Sequence, residues 1–94
     1  MLEVNEYFEG KVKSIGLQTA DLPATVGVMD AGEYTFSTSK KEYMTVVSGV
    51  LTVKLPGSDD WKDYVDGETF EVEAGASFDL KVPVQTAYLC KYEG

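Results

Sequence analysis

No stretch of this chain repeats apolar residues at helical spacing for as long as eleven positions. Short runs of alternating apolar and polar residues are instead separated, about every ten residues, by turns rich in Gly, Pro and Asp. This pattern predicts about eight to ten short strands and leaves no helices through which parallel crossovers could run. We therefore expect an all-β fold, either a closed barrel or a two-sheet jelly roll, because both limit exposed strand edges.

The length of the chain predicts one domain, residues 1–94. A chain of 94 residues can bury between about 60 and 70% of its unfolded surface without metals or disulfides. Its hydrophobic fraction of 44% and aromatic fraction of 12% are typical of a globular β-rich core. Polar turns are predicted at residues 18–23, 30–32, 56–60 and 73–75. The dipeptide Asp66-Gly67 is the strongest hairpin signal in the chain.

The segment Gly32–Gly49 contains two strand-like runs joined by a polar tip, and we interpret it as the central hairpin. Each run places three residues on one face at a period of two: Tyr34, Phe36 and Thr38, then Glu42, Met44 and Val46. Thr38 and Glu42 thus point the same way as rows of apolar side chains. A carboxylate on an apolar strand face is costly unless a partner meets it, so this pair indicates a candidate site.

The charge and the absent residue types exclude several functions. The net charge of −8, with no Arg, repels nucleic acid and anionic membranes, so neither is an expected partner. The absence of His removes the usual general base and the usual metal ligand. Cys90 is the one cysteine and forms no internal disulfide. The first sixteen residues lack the apolar core of a signal peptide, so we expect a cytoplasmic location.

The glycine spacing resembles the two motifs of the cupin family. In the first motif, Thr38 and Lys40 replace the cupin histidines, and Glu42 and Gly49 are retained. In the second, Gly67 and Gly75 are retained, while Glu73 stands at the proline and Phe78 at the histidine. The resemblance implies a cupin-type jelly-roll barrel that has lost its metal site.

The whole chain more specifically resembles the small pyrimidine/purine nucleoside phosphorylases. The likeness includes NEYFEGKVKSIG at 5–16, GEYTFST at 32–38, MTVVSG at 44–49 and YLCKY at 88–92. This resemblance implies that phosphate displaces a purine or pyrimidine base from a nucleoside, giving free base and α-D-ribose 1-phosphate. It also implies nucleosides and inorganic phosphate as partners and no metal or other cofactor.

The candidate site residues follow from what this chemistry requires. Glu42, at the position of the cupin glutamate, and Thr38 are the predicted catalytic residues. Tyr34 and Tyr88 are predicted to bind the base, with Phe36 and Phe78 as further aromatic walls. Lys13 and Lys91 are candidates for phosphate, since neither Arg nor His is available. The alternatives are a solvated carboxylate at Glu42, a strand-end threonine, core aromatics and surface lysines.

Two other functions stay open from the residues alone. A non-catalytic cupin that binds a nucleotide, sugar or other small molecule is compatible with the absence of His. A metal-dependent cupin oxygenase or isomerase is weaker, because Glu42 alone cannot hold an ion. Val4, Tyr7 and Phe8 offer an apolar surface, from which we predict a homodimer.

Overall fold

The computed structural model describes residues 1–94 and contains ten strands and a single 3₁₀ turn, Phe8–Gly10. The strands are β1 Val4–Tyr7, β2 Val12–Gln18, β3 Pro23–Met29, β4 Gly32–Ser37, β5 Lys41–Ser48, β6 Val50–Lys54, β7 Lys62–Val65, β8 Thr69–Val72, β9 Ser77–Val82 and β10 Thr86–Glu93. No helix is long and apolar enough to cross a membrane.

The strands form two antiparallel sheets that pack face to face. The larger sheet has the order β1-β2-β3-β10-β5-β8, and the smaller has the order β4-β9-β6-β7. Fifteen buried residues from both sheets form one hydrophobic core. The predicted all-β, two-sheet architecture is confirmed, and so is the predicted alternation, since Tyr34, Met44 and Val46 are buried.

The segment Gly32–Gly49 is not a hairpin, and this prediction was wrong. β4 pairs with β9 in the smaller sheet, whereas β5 pairs with β10 and β8 in the larger one. The tip between them bonds to the turn at 73–76: Thr38 N–H donates to Ala76 O at 2.9 Å, and Gly75 N–H donates to Thr38 O at 3.0 Å. The two apolar faces therefore meet across the core instead of side by side in one sheet.

The dipeptide Asp66-Gly67 forms the expected tight turn but does not make a hairpin. Glu68 N–H donates to Val65 O at 2.9 Å and closes the turn. The strands on either side, β7 and β8, belong to different sheets. Bonds to the end of β5 hold the turn at this crossing, because Gly67 N–H donates to Val46 O at 2.8 Å and Asp66 Oδ1 accepts from Gly49 N–H at 2.7 Å.

Candidate functional site

A cavity of about 190 Å³ lies between the two sheets. Its walls come mainly from the inner face of the larger sheet, with Phe36, Ser37 and Phe78 from the smaller one. The lining residues are Tyr7, Ser14, Met29, Phe36, Ser37, Glu42, Met44, Phe78, Tyr88, Cys90 and Tyr92. Glu42 is the one charged side chain among them. The cavity therefore combines an apolar body with a carboxylate and several hydroxyl groups.

Glu42 is the second residue of β5, and its side chain lies on the inner face that lines the cavity. It is directly opposite Tyr92 in the β5–β10 register, next to the pair of Met44 and Cys90. The Cys90 thiol donates to Glu42 Oε1 at 3.5 Å. Burial raises the pKa of Glu42, while the bond from Cys90 lowers it. The side chain is a half-buried carboxylate with one weak donor, and so it retains capacity to accept hydrogen bonds from a ligand.

Tyr88 lies on the same inner face of β10 and packs flat against the backbone of β3. Gly27 is its cross-strand partner, and a Cβ at Gly27 would stand 2.5 Å from the Tyr88 ring and hydroxyl. A glycine is therefore required here for the ring to occupy its position. Burial raises the pKa of Tyr88 to about 12, with Cys90 next in effect. Its hydroxyl stays protonated at neutral pH and can donate a hydrogen bond.

Two further groups in this wall are also protonated at neutral pH. Burial raises the pKa of the Cys90 thiol, and the neighbouring Glu42 raises it further. Burial also raises the pKa of Tyr92, whose hydroxyl lies 2.9 Å from the Thr25 hydroxyl. Buried Ser14, on β2, accepts from Asn5 Nδ2 at 3.4 Å. The wall thus presents neutral donors around a single carboxylate.

An aromatic cluster forms the opposite side of the cavity. Phe36 and Phe78 stack with ring centroids 5.9 Å apart. Phe8 packs on Phe36 from outside at 5.3 Å and on Tyr34 at 5.0 Å. The 3₁₀ turn that carries Phe8 is left-handed, with φ of 52° at Phe8 and 58° at Glu9. Residues other than glycine rarely adopt this backbone conformation. The packing of the Phe8 ring therefore stabilises a strained turn beside the cavity.

The residues present do not fit a metal ion. No group of three or more Cys, Asp or Glu side chains is placed to hold one, and the chain has no His. The one side chain hydrogen-bonded to Glu42 is the protonated thiol of Cys90, and a thiol must lose its proton to act as a metal ligand.

Comparison with known proteins shows the family of the whole chain. The sequence profile of the family described as pyrimidine/purine nucleoside phosphorylase matches residues 2–92. The chain belongs to this family. A pyrimidine/purine nucleoside phosphorylase from Saccharophagus degradans is 70% identical over 98% of both chains.

Solved structures share the fold of this pyrimidine/purine nucleoside phosphorylase family member. A protein of unknown function from Vibrio parahaemolyticus superimposes with a TM-score of 0.94 at 49% identity, over 99% of each chain. An RmlC-like cupin from Shewanella frigidimarina superimposes with a TM-score of 0.76 at 22% identity, over 97% of this chain and 82% of that one. The cupin fold expected from the glycine spacing is confirmed.

The structure brings two of the six predicted site residues together, Glu42 and Tyr88, in one cavity wall. Thr38 is buried elsewhere and donates to Glu73 O at 2.6 Å, while accepting from Ala76 N–H at 3.0 Å. Its hydroxyl is engaged by the turn at 73–76. The Tyr34 hydroxyl donates to Asp30 O at 2.7 Å, and its ring lies behind Phe36. Neither Thr38 nor Tyr34 lines the cavity. Both hold neighbouring backbone or rings in place through these contacts.

The two lysines proposed for phosphate lie outside the cavity. Lys13 points to the outer face of β2 and forms an ion pair with Glu6 at 3.4 Å. Lys91 points outward from β10 and forms an ion pair with Asp21 at 3.1 Å. No lysine is among the lining residues.

Four polar groups of the cavity were not predicted from the sequence: Tyr7, Ser14, Ser37 and Tyr92. A signal for Tyr92 was present, because Tyr88, Cys90 and Tyr92 alternate on one face of the last strand. Ser14 alternates in the same way with Lys13 on β2. Tyr7 carried no comparable signal, because its direction depends on the left-handed turn that follows it.

Proposed function

We propose that this protein is a nucleoside phosphorylase that accepts both purine and pyrimidine nucleosides. An oxygen of inorganic phosphate forms a bond to C1′ of the ribose as the bond from C1′ to the base nitrogen breaks. The electron pair of that bond leaves with the base, which takes up a proton, and the products are free base and α-D-ribose 1-phosphate. The observation that carries this proposal is a single half-buried carboxylate among neutral donors, in a cavity of a chain from this family.

The cavity groups suit the charge that develops during this pentosyl transfer. Cleavage of an N-glycosidic bond passes through a transition state with oxocarbenium character. Ionised Glu42 would stabilise that positive charge or accept hydrogen bonds from ribose hydroxyls. The hydroxyls of Tyr88 and Tyr92, which keep their protons, would donate to ribose or phosphate oxygens. No covalent nucleophile is needed, because phosphate itself attacks.

We propose that phosphate is held without a metal or other cofactor. Lys13 and Lys91 are engaged in ion pairs on the outer face. Protein hydroxyls and backbone N–H groups are the remaining donors near the cavity. Metal analysis of the purified protein, paired with activity after chelation, tests this proposal. A stoichiometric metal whose removal abolishes turnover would refute it.

The test of the reaction is phosphate-dependent release of base from a panel of purine and pyrimidine nucleosides. We expect release that requires phosphate and forms ribose 1-phosphate in equal amount. No release from any nucleoside, combined with thermal stabilisation by a nucleotide or sugar, would instead favour the non-catalytic binding cupin.

We also propose a homodimer that works in the cytoplasm. The outer face of the larger sheet presents a cross-strand row of apolar residues in register, Val4, Ile15, Val26 and Leu89, with Val28 beside it. Val26 is 44% exposed and Val28 is 51% exposed, although they lie on a central strand. Because a two-fold axis pairs a surface with itself, this face suits an isologous contact. Of the N-terminal residues first considered, Phe8 already packs on its own chain, and Val4 joins this row.

A further inference from the structure

The cavity is too small for a whole nucleoside together with phosphate. Its volume of about 190 Å³ is below the roughly 300–1,000 Å³ of pockets that bury a drug-sized ligand. One half of a nucleoside therefore fits inside, and the other half must extend beyond the walls.

This inference rests on the proposed function, in which the enzyme accepts both purine and pyrimidine nucleosides. That acceptance indicates which half of the nucleoside, base or pentose, lies inside the cavity. Purine and pyrimidine bases differ in size and in the pattern of hydrogen-bonding groups on their edges. A closed cavity that held the base would select one of the two classes, because buried polar groups that lose their partner are costly. The pentose is the part that both substrate classes share. The interior of the cavity, lined by a carboxylate and hydroxyls, is suited to the hydroxyl groups of the pentose.

Two of the lining residues are exposed, Tyr7 and Ser37, and of these only Tyr7 carries an aromatic ring. Most of the deep lining residues are buried, among them Ser14, Met29 and Tyr88. Tyr7 lines the same cavity but is 46% exposed, so its ring extends from the cavity to solvent. It ends β1, directly before the left-handed turn whose Phe8 packs on Phe36. That turn fixes an exposed aromatic ring at the edge of a polar cavity.

We propose that the pentose occupies the cavity and that the base lies at its open side, stacked on the Tyr7 ring. An aromatic face stacks any base, because every base has a π-face, and this explains tolerance of both classes. A base at this edge is also in contact with solvent. Water can then supply the proton that the leaving base takes up, and the enzyme needs no histidine for that step.

Modified substrates test which half is enclosed. A bulky group on the base, as in N6-benzyladenosine, is expected to leave kcat/KM within about 10-fold of adenosine. A methyl group on the sugar, as in 2′-O-methyladenosine, is expected to lower it by 100-fold or more, because close-packed walls leave no space for the group. The reverse pattern would overturn the proposal, since it would place the base inside.

Variants of Tyr7 test the stacking contact. Tyr7→Ala is expected to raise the KM for nucleosides about 5- to 100-fold, more for purines than for pyrimidines, with the KM for phosphate unchanged. Tyr7→Phe keeps the ring and is expected to stay near wild type. Tyr43→Ala is the matched control, because Tyr43 is on β5 but outside the cavity, bonded to Glu93. Equal nucleoside KM values in wild type and Tyr7→Ala would overturn the stacking.

A separate outcome marks failure of the proposed function itself. If the wild-type protein releases no base from unmodified adenosine or uridine in the presence of phosphate, the phosphorylase assignment fails and this inference falls with it. If wild type turns over both nucleosides and only the substrate or Tyr7 pattern is wrong, the function stands and the placement of the base is refuted.

Discussion

At the residue scale, the cavity depends on a few side chains whose surroundings differ from those of ordinary surface groups. Glu42 is the one carboxylate on an inner strand face, beside a buried thiol. Thr38, four residues earlier, has the same orientation in the sequence pattern, but its hydroxyl is saturated by the turn at 73–76. The two residues therefore call for different experiments.

Glu42→Gln is expected to lower kcat by about 100-fold or more, because it removes the negative charge that would face the developing positive charge. Activity of the wild type should rise with pH as Glu42 ionises, with the midpoint above its ordinary value of 4.5. Steady-state rates of both proteins across pH check this. An unchanged kcat in Glu42→Gln would remove the carboxylate from the mechanism.

The same variant is expected to be more stable than wild type at neutral pH. Burial raises the pKa of Glu42 in the folded state, so the folded protein binds the proton more tightly than the unfolded chain. The stability that this provides is present below the unfolded pKa and is lost as the pH rises through the folded pKa. The Tm of Glu42→Gln should thus exceed that of wild type at pH 7, and the gap should close toward pH 4.

Thr38→Val is expected to lower the free energy of unfolding by about 1 to 3 kcal/mol, since Ala76 N–H and Glu73 O lose a buried partner. Denaturant unfolding measures the loss. The value of kcat/KM per folded molecule, measured well below the Tm, should stay close to wild type. A large drop in kcat with little loss of stability would support instead the direct catalytic role predicted from the sequence.

At the element scale, the site depends on how strands and turns are held against one another. Tyr88 on β10 occupies space that exists only because β3 carries Gly27 at the paired position. Strand β1 and the left-handed turn after it hold the Tyr7 ring at the open edge of the cavity. In both cases the backbone of one element determines where the aromatic side chain of another residue can lie.

Gly27→Ala is expected to cost about 1 to 3 kcal/mol of stability and to lower activity, because the new Cβ would displace the buried ring of Tyr88. Gly16→Ala, on the adjacent strand β2, is the matched control, since a Cβ there meets nothing within 4 Å. Thermal unfolding and steady-state kinetics of both variants check the contrast. Equal behaviour of the two variants would contradict it.

Glu9→Gly is expected to raise the free energy of unfolding by up to about 1 kcal/mol, because Glu9 has φ of 58° and glycine adopts this region without strain. For a domain of this size that corresponds to roughly 4–8 °C in Tm. Glu6→Gly in β1 is the control and should lower the Tm, since glycine weakens a strand. A lower Tm in Glu9→Gly would show that the turn is not strained.

At the scale of the whole molecule, the two sheets present different outer faces. The smaller sheet shows polar residues such as Thr35, Asp79 and Lys81 outward. The larger sheet shows the apolar row that includes Val26 and Leu89. An antiparallel sheet with one solvated face normally alternates apolar-in and polar-out, so the apolar outer row supports a contact between two copies.

Val26→Lys is expected to convert the proposed dimer to a monomer, because two lysines would be buried against each other across the two-fold axis. Light scattering should give about twice the chain mass of 10.3 kDa for wild type and the single-chain mass for the variant. Val65→Lys is the control, since Val65 is similarly exposed, at 46%, but lies on the smaller sheet. A wild-type mass of one chain would refute the dimer.

The sequence by itself determined most of the strands, their inward faces and the presence of Glu42 and Tyr88 on those faces, because side-chain alternation is a local property of extended backbone. Strand β1, Val4–Tyr7, was not predicted. The spacing of glycines also determined the family resemblance and, through it, the fold. Boundaries such as Ser77–Val82 follow from local turn residues on either side.

Only the tertiary structure decided which strands pair and which polar groups share the cavity. The polar tip of the segment Gly32–Gly49 and the turn signal at Asp66-Gly67 mark reversals of the chain, but a reversal can join two strands of one sheet or cross from one sheet to the other. Burial of both apolar faces in one core selected the crossing at both places. The same pairing directed Lys13 and Lys91 outward and brought Tyr7, Ser14 and Tyr92 together, because distant strands meet only when the sheets close.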